Sequence, residues 1–489
     1  MKKLLSILLF VTLLLSLAAC TDPVIGGPAA ESGGAGEGTV AAPSRTDAVI
    51  TLKGDTASYP GGGVSIKGSV VTIGAPGEYT VRGTLNDGQI VVDLRENPGK
   101  VTLILDGADV TCLTGSAIYV EQAKEVDLVL AAGSENRVVS GTEADLDAHN
   151  DQSSGAAIFS EDDLDIQGEG SLAVFGYINN GVGCKDDLKI KGGVIAVLAA
   201  NNGLSASESV TVSGGIVVIE CGNDGVKATS AKKDGKGFVL IEDGELTVLA
   251  AGDGVSAETA LTVSGGTVTV VTTGDPVQKS CKGLKAKTEL TVSGGTVVLD
   301  AQDHAIRSQG ALTVSGGSVT ASSAQGKGLS AEAALLISDG TLSVRAADDG
   351  LSSATDVRIS GGRTEIFAGA DGVQGGKKGT GFASSVGTVT LEGGVTLVSA
   401  HNKPVDAKAL FTLSGGTILA CGSSPSPAQG GASVTASVTG KSGDTLSAGE
   451  LSLQAGYDYS AVFYADSALQ PGAGVSLTAG SRTLELQAQ

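Results

Sequence analysis

The chain has no tryptophan, and aromatic residues make up 3% of its 489 positions. That argues against a flat indole platform for crystalline cellulose, since stacking surfaces are built from such rings. Basic residues are in deficit: 32 Lys and Arg face 53 Asp and Glu, a formal charge of −21. Phosphate backbones are bound through a surplus of Lys and Arg. Nucleic acid is therefore excluded as a partner, and cations, or anions bridged by cations, suit the charge. Histidine is limited to His149, His304 and His401, too scattered for a triad, and neither GxSxG nor HExxH occurs. Beyond Cys20 stand five cysteines, Cys112, Cys184, Cys221, Cys281 and Cys421, with no CxxC. An odd number so spaced indicates neither a disulfide framework nor a zinc site. Proline occurs 11 times against 74 glycines, which fits a tight turn in every unit of a short repeat.

That repeat is present. Ser-Gly-Gly or a near relative begins at Lys191, Ser213, Glu242, Ser264, Ser293, Ser315, Ser338, Ser360, Glu392 and Ser414, in steps of 22, 29, 22, 29, 22, 23, 22, 32 and 22 residues. Each unit, such as LTVSGGTVTV over 261–270, is strand-like on both sides of the glycines and shows no helical period. A strand-only solenoid of this period is expected to be a parallel β-helix with coils of about 22 residues. Two columns support the register. Small residues recur at Ala199, Cys221, Ala250, Thr272 and Ala301, and apolar ones at Leu204, Val226, Val255, Leu284 and Ile306. Alternate strand residues share a face, so both columns are expected inside, with Cys221 acting as a small hydrophobe.

The opening MKKLLSILLFVTLLLSLAAC reads as a secretory leader, too short for a spanning helix. Leu17-Ala18-Ala19-Cys20 resembles a lipobox, which predicts lipid attachment at Cys20 and a place on the outer face of the cell membrane. The expected organisation is a leader over 1–19, a flexible Gly/Ala/Pro/Ser tether over 20–44, a repeat domain over 45–430 and a β-rich C-terminal cap over 431–489. The protein is expected to be a monomer.

Eleven residues after each turn residue lies a polar column: Asn180, Asn202, Asp224, Asp253, Lys282, His304, Lys327, Asp349, Asp371 and Lys403, with Asp303 and Asp348 one position earlier than His304 and Asp349. Adjacent repeats lie about 4.7–4.9 Å apart. An ion midway between two stacked carboxylates could touch an oxygen of each at about 2.3–2.6 Å. Oxygen-only ligands favour calcium over zinc or copper. Asn-Gly and Asp-Gly are also common turn dipeptides, so a single pair would be a turn only; stacked acids in register, as at Asp224/Asp253 and Asp349/Asp371, favour metal. The insertions at 229–238, 273–281 and about 374–387 flank this corner and carry Lys232, Lys233, Lys236, Lys279, Lys377 and Lys378. Together with calcium these lysines could frame a groove for an anionic polymer.

The stretch HNDQSSGAAIFSEDDLDIQGEGSLAVFGYINNGVGCKDDLKIKGG over 149–193, followed by NDGVKA- and GDGVSAE-type turns, resembles the carbohydrate-binding β-helix lipoproteins of cellulolytic clostridia. The resemblance spans roughly 48–480. It implies a right-handed parallel β-helix of polysaccharide-lyase-like topology, several bound calcium ions, and binding of cellulose-like and pectin-like polysaccharides. The family's acidic turn motif falls on Asp224, Asp253, Asp303, Asp348, Asp349 and Asp371; Asn202, His304 and Lys327 depart from it, which breaks a continuous ion column into separate acidic clusters. The leading expectation is a lipid-anchored, calcium-dependent binder of plant cell-wall polysaccharide, with Lys232, Lys233, Lys377 and Lys378 meeting the sugar. The alternatives are a pectate-lyase-like eliminase with Lys282 or Lys327 as base, and a calcium-stiffened adhesin.

Overall fold

A computed structural model describes residues 49–489, apart from 97, 148–155, 232–233, 377–385 and 425–427. The described chain is all-β but for one short 3-10 turn over Glu143–Asp147. Its strands form one sheet of 24 strands, a second of 15 and a small one of four.

The repeat period survives as strand register. Val194–Ala199 pairs in parallel with Ser209–Cys221, placing Ala199 opposite Cys221, and Cys221 in turn lies opposite Ala250 of Phe238–Ala250. The second sheet is built from three-residue strands such as Leu204–Ala206, Val226–Ala228 and Val255–Ala257, again parallel and in register. Both expected inward columns are buried: Ala199, Cys221, Ala250 and Ala301 in one, Leu204, Val226, Val255, Leu284 and Ile306 in the other.

The expected right-handed β-helix with uniform coils is corrected. At Ser264, Ser293 and Ser360 the glycine pair lies between two strands, as read, but at other repeats it lies within a continuous 13-residue strand, as in Ser209–Cys221, Phe238–Ala250, Ala311–Ser323, Thr388–Ala400 and Leu410–Gly422. Register shifts at Ser213, Ser315 and Glu392 mark bulges there. A bulge kinks a strand and keeps it in its sheet, so both legs of a repeat join one branched 24-stranded sheet. That sheet also takes antiparallel partners at its ends: Val49–Gly54 pairs with Ala57–Ser58, and Leu410–Gly422 with Ala461–Asp466. The result is an all-β assembly of two large, mostly parallel sheets and a four-stranded antiparallel sheet, Thr445–Ala448, Leu451–Gln454, Gly474–Ala479 and Arg482–Gln487.

One apolar core runs from Ile50 to Ala465. A second lies under the C-terminal strands, where Phe367, Leu397 and Leu419 of the repeats meet Val434, Leu446, Tyr459, Val462 and Leu477. The strand Ala461–Asp466 thereby covers an edge that would otherwise expose unpaired backbone groups.

All five cysteines of the described chain are free and buried. Burial pushes Cys184 and Cys221 up to about 12 and Cys421 up to about 11. The thiolate is the nucleophile, so iodoacetamide at neutral pH is expected to spare these three in the native chain and label them after denaturation. Mass-spectrometric mapping reads the result; labelling of native Cys221 would show that the small-residue column opens.

Candidate functional site

The polar turn column is held together by side chain to backbone hydrogen bonds between repeats. The Asn202 amide donates to Asn180 Oδ1 at 3.0 Å, Asp224 N to Asn202 Oδ1 at 3.1 Å, Asp253 N to Asp224 Oδ1 at 2.8 Å and Lys282 N to Asp253 Oδ1 at 2.9 Å. Further along, Asp371 N donates to Asp349 Oδ1 and Lys403 N to Asp371 Oδ1, each at 3.1 Å. One oxygen per residue thus replaces the strand ladder at the corner, where backbone amides would otherwise lack acceptors.

The second oxygen of Asp224, Asp253 and Asp349 accepts a cation from the protein, and Asp303 is paired likewise. Asp224 meets Lys227 Nζ at 2.8 Å, Asp253 meets Lys285 at 2.7 Å, Asp303 meets Lys282 at 2.6 Å and Asp349 meets Lys327 at 2.6 Å. The 273–281 insertion folds onto Asp253, whose Oδ1 also accepts Ser280 Oγ at 2.6 Å. His304 Nδ1 lies 2.9 Å from Asp303 Oδ1 and 3.2 Å from the Lys327 amide. It serves these one at a time, donating to Asp303 when Nδ1 carries a hydrogen and accepting from the Lys327 amide when it does not. The His304 ring and Lys282 hold Asp303 well below the usual carboxylate range, against the cost of burial. Asp348 is half-buried beside Asp349. Burial pushes Asp371 up; the Lys403 amide opposes this, and the carboxylates of Asp406 and Asp349 add to the rise.

Calcium takes six to eight oxygens. With amides on one oxygen and ammonium groups on the other, Asp224, Asp253 and Asp349 do not fit a calcium cage as they stand, and lysine supplies the positive charge instead. Lys282 and Lys327, the candidate bases, each sit in an ion pair, where the ammonium form has no lone pair to offer. Lys232, Lys233, Lys377, Lys378, Cys20 and His149 lie outside the described residues. Of the other insertion lysines, Lys236 bridges Asp187 and Glu208 at 2.9 and 2.8 Å, and Lys279 donates to the Gly222 carbonyl at 3.0 Å.

A second feature was missed in the sequence. On the outer face of the 15-stranded sheet one residue per repeat aligns in register: Tyr119, Phe159, Gly183, Ser205, Lys227, Ser256, Lys285, Arg307, Ser330, Ser352 and Gln374. Each position directly follows a residue of the inward Leu204 column, so alternation alone could have found them. At one end the half-buried rings of Tyr119 and Phe159 lie 6.0 Å apart at 22°. A Cβ on Gly183 would come within 2.9 Å of the Phe159 ring, so glycine lets that ring lie along the face. Lys185 Nζ stands 6.0 Å from the Phe159 centroid and pairs with Glu161, while Arg95 pairs with Asp93 at 2.6 Å and Glu121 at 3.3 Å. Toward the other end, Lys227 and Lys285 pair with the turn acids, Arg307 with Glu332, and Lys327 Nζ reaches Ser352 Oγ at 2.8 Å. The stripe is therefore polar but charge-balanced.

Two other places invite a ligand less well. Phe175 and Tyr177 on the large sheet are 5.6 Å apart but tilted by 35°, with Arg137 over Phe175 and Leu198 beneath. A cleft of about 370 Å³ near the C-terminal strands is lined by His401, Asn402, Lys441, Asp458 and Tyr459, among others.

The sheet face thus carries stacked rings at one end and ion pairs along the rest, with Ser256, Ser330 and Ser352 buried beneath them. The model of the family described as "Carbohydrate-binding domain-containing protein" matches residues 67–328 and 323–486, and the chain belongs to that family. A curated protein of Acetivibrio thermocellus with the same description is 39% identical over 137 residues, 28% of this chain and 48% of that protein. The chain thus spans about half the length of the curated relative it matches. Among solved structures, the polysaccharide lyase-like protein from C. thermocellum, as a gadolinium derivative, is similar at 31% identity and a TM-score of 0.43, over 54% of this chain and 96% of that one.

Proposed function

We propose that the chain binds an extended polysaccharide along the outer face of the 15-stranded sheet, with Tyr119 and Phe159 as the stacking end. The observation that carries this reading is the in-register stripe from those rings to Gln374. Apolar faces of sugar rings stack on aromatic faces, and the charged side chains of Arg95, Glu121, Glu161 and Lys185 at the rim suit sugar hydroxyls. The family membership supports a carbohydrate ligand. Because the cations of the stripe are paired, a neutral, cellulose-like chain suits it better than a polyuronate, which a protein of charge −21 repels. In this reading lipid attachment at Cys20 holds the binding face outside the cell.

The test is a depletion assay on insoluble glucan, with polygalacturonate in parallel. Tyr119→Ala and Phe159→Ala are each expected to weaken glucan binding by about 1 kcal/mol, roughly fivefold, with the melting midpoint checked for each. Phe175→Ala should leave binding unchanged. Equal binding by the Tyr119/Phe159 double variant would remove the stripe as the site. Calcium-dependent retention on polygalacturonate alone would favour the acidic polymer, and release of unsaturated oligomers would make the protein a lyase.

A further inference from the structure

The cleft near the C-terminal strands is built from four separate stretches: His401 and Asn402, Ser423, residues 439–441 and residues 458–460. None of them belongs to the stripe. Its frame is tied by hydrogen bonds. Gly440 and Tyr459 exchange backbone bonds at 2.9 and 3.2 Å, and the Ser460 amide donates to the Gly422 carbonyl at 2.9 Å. Ser460 Oγ donates to the Ser423 carbonyl at 2.6 Å, and the Ser423 amide donates to the Asn402 carbonyl at 2.7 Å. Tyr459 is buried, and its hydroxyl donates to Asp444 Oδ2 at 3.1 Å. A Cβ on Gly440 would stand 2.1 Å from the Tyr459 ring, so glycine is what admits the ring here.

On this frame three lining side chains have no work inside the protein. His401, Asn402 and Thr439 are exposed and make no side-chain hydrogen bond among the described residues. The His401 ring is held by the edge of Tyr457, with centroids 5.9 Å apart at 71°. The charges of the cleft cancel, because Lys441 Nζ meets Asp458 Oδ2 at 2.6 Å. An imidazole, a carboxamide and a hydroxyl each donate and accept, as do the hydroxyls of a sugar. A carboxylate or phosphate only accepts and calls for a spare cation, which the Lys441–Asp458 pair does not leave. The volume of about 370 Å³ lies at the low end of small-molecule pockets, roughly 300–1,000 Å³, and suits one or two sugar rings, not a chain. We propose that this cleft binds a short neutral saccharide through His401, Asn402 and Thr439. The site is separate from the stripe and stands whether or not a polymer lies there.

The experiment titrates the purified protein with cellobiose, xylobiose and mannobiose in turn and follows the histidine ring signals by NMR. The chain has three histidines, and His401→Gln identifies the signal of His401. At least one disaccharide is expected to shift that signal saturably while His149 and His304 stay in place. Asn402→Ala and Thr439→Ala should each raise the half-saturation about fivefold, the worth of one hydrogen bond. Both side chains are exposed, and a melting midpoint checks that the variants fold. The Tyr119→Ala/Phe159→Ala protein should keep the His401 response, which separates this site from the stripe; loss of the response there would assign the sugar to the stripe and overturn the proposal. No shift with any of the three sugars overturns it too, as does a shift indifferent to both Asn402→Ala and Thr439→Ala. A stronger response to digalacturonate would make the cleft an anion site instead.

Discussion

Lys285→Ala is expected to cost about 3–5 kcal/mol of folding stability, the penalty for stranding a buried charge. Asp253 is 0% exposed, and its oxygens are divided among Ser280 Oγ, the Lys282 amide and Lys285 Nζ. Taking away the ammonium removes the charge partner and leaves the two neutral donors, which do not compensate a full carboxylate in the interior. Depth sets the size of the effect. The Lys441–Asp458 pair is slightly shorter, at 2.6 Å against 2.7 Å, but its side chains are 79% and 58% exposed, and Lys441→Ala should change stability immeasurably. Removing both charges at the buried site, as Lys285→Ala with Asp253→Asn, should cost less than Lys285→Ala alone, since Asn can still accept the Lys282 amide. Denaturant midpoints on the four proteins give the comparison. A Lys285→Ala protein as stable as the wild type would mean that Asp253 finds another counter-charge, and restoration of the variant by calcium would return metal to this column.

The positions of the turn column were legible because a repeat puts the same job at the same offset: Asn202, Asp224 and Asp253 all present an oxygen to the next amide. Their charge partners were not, since Lys227 lies three residues on and Lys285 in the following repeat, and neither offset is a fixed spacing. The acids were therefore read without the lysines that pair with Asp224, Asp253, Asp303 and Asp349. The inward columns at Ala199 and Leu204 followed from alternation. The glycine pairs misled because one dipeptide serves both as a turn and as a bulge, and the hydrogen bonds continuing across Ser213 and Ser315 decide between them. Tyr119 and Phe159 fall before the regular repeats begin, where strand spacing varies. Only the stacking of Tyr119 on Phe159 brings them together.

Gly295→Ala is expected to destabilise the chain well beyond Gly107→Ala, although both glycines have a φ of 75°. That left-handed conformation costs an L-residue about 1–2 kcal/mol wherever it occurs. At Gly107 an added Cβ meets nothing within 4 Å, so strain is the whole effect. At Gly295 it would stand 2.6 Å from the Gly266 carbonyl oxygen and 2.7 Å from the Gly265 carbonyl carbon, and a Cβ at Gly266 would likewise lie 2.7 Å from the Gly244 oxygen. These are backbone atoms of the preceding repeat, which no rotamer change can move aside. Relief requires the strands Glu289–Val292 and Thr296–Ala301 to shift against the repeat before them, and their register is fixed by parallel pairing on both sides. Overpacking of this kind adds about 1–3 kcal/mol. Denaturant midpoints of the two variants therefore measure the approach between repeats separately from the dihedral strain. Equal losses would show that neighbouring repeats slide freely at this turn, and that its glycine pair is kept for φ alone.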